Sequence, residues 1–133
     1  MRPVKSGRRQ AVERGADEAP PRECVFCRIA AGDVPAHLVN EDEHFVAFPD
    51  VRPLAPVHVL VIPRRHVASL DEAEALDPEA SARALAFIAA TARSAGVAQS
   101  GYRVVTNTGP DAGQEVRHLH WHVIGGAPLG GMV

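Results

Sequence analysis

Residues 118–123 read His-Leu-His-Trp-His-Val, an alternation of imidazole and apolar side chains that an extended strand sorts onto two faces. A strand over Arg117 to Ile124 puts His118, His120 and His122 in one row, with Leu119, Trp121 and Val123 behind them. Two residues of strand rise separate neighbouring histidines by roughly 7 Å. Imidazole titrates near neutrality and serves as nucleophile, acid, base or metal ligand. Three in register, directly after Gly113 and Gln114, make a candidate active site; a single histidine would read as a polar strand face.

The rest of the chain supplies a sheet for that strand. With 133 residues and 46% hydrophobic content, it suits one domain with its own core. Val57-His-Val-Leu-Val-Ile62 is a nearly continuous apolar run closed by Pro63, which predicts a central strand. Shorter strands are expected at His37–Asn40 and His44–Phe48, joined by a tight turn at Glu41-Asp42-Glu43, and a further long one at Tyr102–Asn107. Cys24 to Ala31 reads as a short helix stopped by Gly32. Asp77-Pro78 starts a long helix, with Asp77 as cap, that runs to Ser94 or Ala95. Its expected core stripe is Ser81, Ala84, Leu85, Ile88, Ala92 and Ala95, which turns Phe87 outward. The order of elements predicts an α+β fold with a mainly antiparallel sheet of about five strands.

Residues 1–22 are polar, punctuated by Pro and Gly, and too poor in large apolar groups to repay ordering, so a flexible tail before a domain at 23–133 is expected. A net charge of −2 and a pI near 6.4 give no general attraction to nucleic acid. No apolar run suits a membrane span, and the basic N-terminus lacks the apolar core of a secretory signal. A cytoplasmic protein is expected. In that reducing setting the Cys24-x-x-Cys27 spacing suits a metal or a redox pair better than a structural disulfide. The redox reading expects a strand before the motif, where this chain has the polar tail.

The Gly-rich stretch Asn107–Gly113, running through Gln114 into the histidines, joins a backbone able to approach an anion to a row of nucleophile candidates. At this point the chain resembles the histidine-triad (HIT) superfamily, and closely its Hint branch of purine nucleoside phosphoramidases. The stretches that carry the resemblance are Cys24-Val-Phe-Cys-Arg-Ile29, Phe48-Pro-Asp50, Ala55-Pro-Val-His-Val-Leu-Val-Ile-Pro-Arg-Arg-His66, Gly101-Tyr-Arg-Val-Val-Thr-Asn107 and Gly113-Gln-Glu-Val-Arg-His-Leu-His-Trp-His-Val-Ile-Gly-Gly126. They follow the family's order and spacing across residues 24–130.

The resemblance implies hydrolysis of purine nucleoside 5′-phosphoramidates, of nucleotidyl-amine or aminoacyl-adenylate type, through a covalent nucleotidyl-histidine. His120 matches the nucleophile, and His118 the residue whose carbonyl holds its proton. His122 matches a phosphate contact, His58 a fourth histidine of the proton network, and Asp50 the carboxylate that accepts the ribose hydroxyls. Asn107 and Gln114 match donors to substrate oxygens beside Gly113. Phe26, Ile29, Phe48, Val51 and Leu60 fall where the purine slot lies. Glu115 stands where family members carry Ser, so only its backbone N–H is expected to help. Some bacterial HIT proteins bind zinc with the residues that match Cys24, Cys27, His66 and His118, which implies a structural zinc. The resemblance also implies a homodimer, paired through the long helix and the strand after it into one continuous sheet. Cleavage of dinucleoside polyphosphates, a nucleotide- or zinc-binding regulatory module, and a catalytic metal on all three histidines are the alternatives.

Overall fold

In a computed structural model the described residues are 23–131, so the expectation of a flexible tail at 1–22 lies outside them. Five strands, β1 (Asn40–Glu41), β2 (Phe45–Pro49), β3 (Val57–Pro63), β4 (Tyr102–Val105) and β5 (Trp121–Gly125), form one sheet in the order β1-β2-β3-β5-β4, with every neighbouring pair antiparallel. The apolar run of β3 holds the centre of the sheet, as expected. Helices α1 (Val25–Ala30) and α2 (Pro78–Ser94) complete the α+β architecture. Among the described residues no helix is long and apolar enough to cross a membrane.

The period of two along the strands divides the core. Phe45, Ala47, Val59, Val61 and Val123 face α2, where they pack on Ala80, Ala84, Phe87, Ile88 and Ala92. Val46, Phe48, Leu60 and Ile62 face the other way and pack with Cys24 and Phe26 at the start of α1. Both faces of β2 are therefore covered, which is why Phe45 to Phe48 are all buried. His58 and His122 lie on the α1 face, because His122 registers against Leu60 and His58 against Ile124.

Helix α2 is rotated from the expected stripe. Leu85 is 77% exposed and Ser81 is exposed, whereas Phe87 is 6% exposed and stacks on Phe45 at a centroid distance of 5.3 Å. The buried set Ala80, Ala84, Phe87, Ile88, Thr91 and Ala92 follows the i, i+4, i+7, i+8 pattern of an amphipathic helix. Buried Thr91 is satisfied, since its hydroxyl donates to the Phe87 carbonyl at 2.9 Å and accepts from Asn40 Nδ2 at 3.3 Å. Asp77 precedes the helix but makes no side-chain cap, and Pro78 alone marks its start.

Strand boundaries also move. The expected strand His37–Asn40 is reduced to Asn40–Glu41, with Val39 N–H still bonded to the Ala47 carbonyl at 2.8 Å. The turn before β2 is built by Asp42, whose carboxylate accepts from the backbone N–H groups of His44 and Phe45 at 2.8 Å each. Strand β4 stops at Val105, short of Asn107. Strand β5 starts at Trp121, so His118 to His120 precede it. There Leu119 N–H bonds to the Val67 carbonyl at 2.8 Å, and its side chain packs with Val67 and Leu76.

Candidate active site

His118, His120 and His122 share a side of the sheet, but they do different things. The Nδ1 of His120 lies 2.7 Å from the carbonyl of His118. A carbonyl only accepts, so Nδ1 carries the proton and Nε2 keeps its lone pair. Thr106 Oγ1 donates to the His120 carbonyl at 2.7 Å, which pins the same residue from just past the end of β4. The Phe26 ring meets the His120 ring edge-on at 5.2 Å, and the His120 and His122 rings are 5.1 Å apart. These rings sit closer than the roughly 7 Å between backbone positions two apart in a strand, so they tilt toward each other.

A second anchor runs through His58. Leu54 N–H donates to His58 Nδ1 at 3.0 Å, and His58 Nε2 lies 2.8 Å from His122 Nδ1 and 3.4 Å from Asp50 Oδ2. Burial pushes the pKa of His58 down, against the opposing pull of the Asp50 charge. Burial likewise lowers His120, with its hydrogen bond to the His118 carbonyl working the other way. His122 falls to about 4, first through burial and then through its neighbours His120 and His58. All three rings are thus neutral at pH 7, the state in which an imidazole is a nucleophile.

The ring of His118 turns the other way. Its Nε2–H donates to the Pro63 carbonyl at 2.8 Å, which leaves Nδ1 facing the cysteines. That atom lies 3.3 Å from Cys24 Sγ, 3.5 Å from Cys27 Sγ and 3.2 Å from His66 Nδ1, while Cys27 Sγ is 3.3 Å from His66 Nδ1. The four atoms lie within 4.8 Å of one another. Zinc bonds of 2.0–2.3 Å imply tetrahedral edges of about 3.3–3.8 Å, so this cluster has the size and donor set of a Cys2His2 site. The neighbouring Cys27 thiol, followed by His118 and His66, holds the Cys24 thiol far below its ordinary pKa, although burial pushes it up. A metal would supply folding energy there and leave no open position for substrate. Because His118 belongs to this cluster and His120 does not, the three histidines do not converge on one catalytic metal.

The remaining expected residues differ in how far they are buried. Phe26, Phe48 and Leu60 belong to one buried cluster, against which Ile29 packs; Val51 stands outside it, 90% exposed. Phe26 and Phe48 meet edge-on at 5.6 Å. Asp50 is held by its Oδ1, which accepts from Arg52 N–H at 2.9 Å. Asn107 lies half-buried past the end of β4. Gly113 has φ 81, a left-handed conformation that costs glycine nothing. Gln114 is committed to this loop: its Oε1 accepts from Gly109 N–H at 2.9 Å, and its Nε2 donates to the carbonyls of Ala68 at 2.7 Å and Val116 at 3.0 Å. Donation to a substrate would require exchanging those bonds. Glu115 points outward, 3.9 Å from Arg52, with both side chains more than 80% exposed.

Sequence reasoning missed the Leu54 N–H, the Pro63 carbonyl and the Thr106 hydroxyl. The first two are main-chain groups and leave no side-chain signature. Thr106 lay inside a recognised stretch but had no role until the strands were paired.

Comparison with known proteins shows the family. A family model described as the HIT domain matches residues 31–129. The purine nucleoside phosphoramidase of Escherichia coli K12 is 37% identical over 111 residues, covering 84% of this chain and 93% of that protein. A 13.2 kDa HIT-like protein of Azospirillum brasilense is 46% identical over 110 residues, covering 82% and 90%. Among solved structures, a histidine triad protein from Clostridium difficile superposes with a TM-score of 0.77 at 39% identity, covering 84% of this chain and 96% of that one. With the triad, its sheet and these relatives in agreement, the chain belongs to the HIT domain family.

Proposed function

We propose that the protein hydrolyses purine nucleoside 5′-phosphoramidates through a nucleotidyl intermediate on His120. The observation that carries this reading is the 2.7 Å contact of His120 Nδ1 with the His118 carbonyl, which reserves Nε2 for attack. Its support from relatives is the phosphoramidase named in E. coli. The Nε2 lone pair attacks the α-phosphorus, the P–N bond breaks, and the amine leaves with that electron pair and a proton drawn from solvent through the histidine cluster. Water then attacks the same phosphorus and gives its proton to solvent through the same cluster, and the P–Nε2 bond breaks, which releases the nucleotide and returns His120 to its neutral form. In this reading Asp50 takes the ribose hydroxyls, and Phe26, Ile29, Phe48 and Leu60 floor the purine slot with Val51 at its rim. Gly113 and the N–H of Glu115 approach the phosphate, beside Asn107. The test is steady-state release of amine from adenosine 5′-phosphoramidate, with a dinucleoside polyphosphate as the competing substrate. Preferential cleavage of the polyphosphate would overturn the assignment.

The metal reading has its own test. Zinc held by Cys24, Cys27, His66 and His118 is structural in this proposal. Free zinc a hundredfold above its dissociation constant should raise stability by about 2.7 kcal/mol, a rise in Tm of about 10 °C. Cys27→Ser should abolish that rise. Metal analysis of purified protein and thermal melts with and without chelator check it, and melts that do not respond to zinc would refute it.

The homodimer proposal rests on the edge of the sheet. Strand β4 is the outer strand beside β5, and its Tyr102 and Val104 are 37% and 41% exposed. An open apolar edge invites pairing, and a two-fold partner would meet it with its own copy. Leu85, exposed on α2, takes the place in this argument expected of Phe87. Light scattering at micromolar concentration should give twice the 14.2 kDa chain mass. A monomer mass would remove the dimer.

A further inference from the structure

We propose that the main-chain N–H of Leu54 is a positioning group for catalysis: it fixes which nitrogen of His58 carries the proton and, through His58, makes His122 present an N–H to the substrate. The inference rests on the phosphoramidase reading for its consequence, but not for its geometry.

A backbone N–H only donates, so His58 Nδ1, 3.0 Å from Leu54 N, must accept. The proton of the neutral His58 ring is therefore on Nε2. That nitrogen lies 2.8 Å from His122 Nδ1, which must then accept in turn. The proton of the neutral His122 ring is left on its Nε2. Asp50 Oδ2, 3.4 Å from His58 Nε2, favours the same arrangement, because a carboxylate attracts an N–H and repels a lone pair. Burial lowers the pKa of both rings from the ordinary imidazole value, which disfavours the form with every nitrogen protonated.

The order matters because two arrangements of the pair are possible. In the reverse one His58 carries its proton on Nδ1, His122 donates Nδ1–H to His58 Nε2, and the Nε2 lone pair of His122 faces outward. A lone pair repels a phosphoryl oxygen, whereas an N–H stabilises the charge that gathers on it. His58 is 4% exposed, so no solvent competes with the Leu54 contact. The Leu54 side chain is 78% exposed, and only its main chain enters this argument. Pro53 directly before it, with φ fixed by its ring, limits how the Leu54 N–H can swing away.

The experiment is long-range nitrogen–proton correlation NMR of the histidine rings in the whole protein, paired with kinetics of Leu54→Pro. In the unaltered protein His58 and His122 should both carry their protons on Nε2, and His120 on Nδ1. Leu54→Ala keeps the N–H and should keep those tautomers. Leu54→Pro removes it and should redistribute the His58 and His122 protons, lowering kcat about tenfold to a hundredfold with KM nearly unchanged. A His58 proton on Nδ1 in the unaltered protein, or unchanged tautomers or kcat in a folded Leu54→Pro protein, overturns the proposal. Should Leu54→Pro fail to fold, the spectrum of the unaltered protein decides. Should the protein cleave no phosphoramidate, that spectrum still tests the assignment separately from the reaction.

Discussion

His120→Gly is expected to lower turnover of adenosine 5′-phosphoramidate by at least about a thousandfold, a loss of about 4 kcal/mol in transition-state stabilisation. The size follows from the covalent route proposed above: in it, removing the nucleophile removes the intermediate, and water must displace the amine in one step. Binding of the product nucleotide should stay within about tenfold, or about 1.4 kcal/mol, because the slot residues and Asp50 are untouched. Measured turnover comparable to the unaltered protein would end the nucleophile assignment.

Phe87→Ala should cost about 3–5 kcal/mol of folding stability, a large share of what a domain of this size has. Phe87 lies between α2 and β2, and its removal leaves Phe45 facing a void that the sheet cannot close. Ser81→Ala, on the exposed side of the same helix, should change stability by no more than about 0.5 kcal/mol. Denaturant titration of both variants fixes the rotation of α2. Equal midpoints would mean that the helix packs by the other stripe.

That rotation marks where sequence reading ran out. Two apolar stripes about one residue apart compete on α2, one holding Leu85 and the other Phe87. Periodicity cannot choose between them, because the choice is made across space by Phe45 on β2. The cap at Asp77 failed for a similar reason: residue type permits a cap, but local geometry decides whether the side chain turns back. Strand β3 was legible because a nearly continuous apolar run has to be covered on both faces, which an interior strand provides. The cluster of Cys24, Cys27, His66 and His118 was legible only through the family resemblance, since residues 94 positions apart share no local pattern. Its assembly in space also explains why His118 starts before β5: the ring reaches toward Pro63 and the cysteines, and this backbone bonds to Val67.

His118 carries its tasks on chemically separate parts. Its ring belongs to the thiol cluster, while its carbonyl orients His120. The carbonyl belongs to every amino acid that takes up this backbone path, so replacing the ring does not delete the anchor of the proposed nucleophile. A descendant of this chain is therefore free to abandon the cysteines and the ring together, provided another packing holds residues 118–120 in place. What is inherited at this position for catalysis is a shape of the main chain, and the imidazole is the part open to drift.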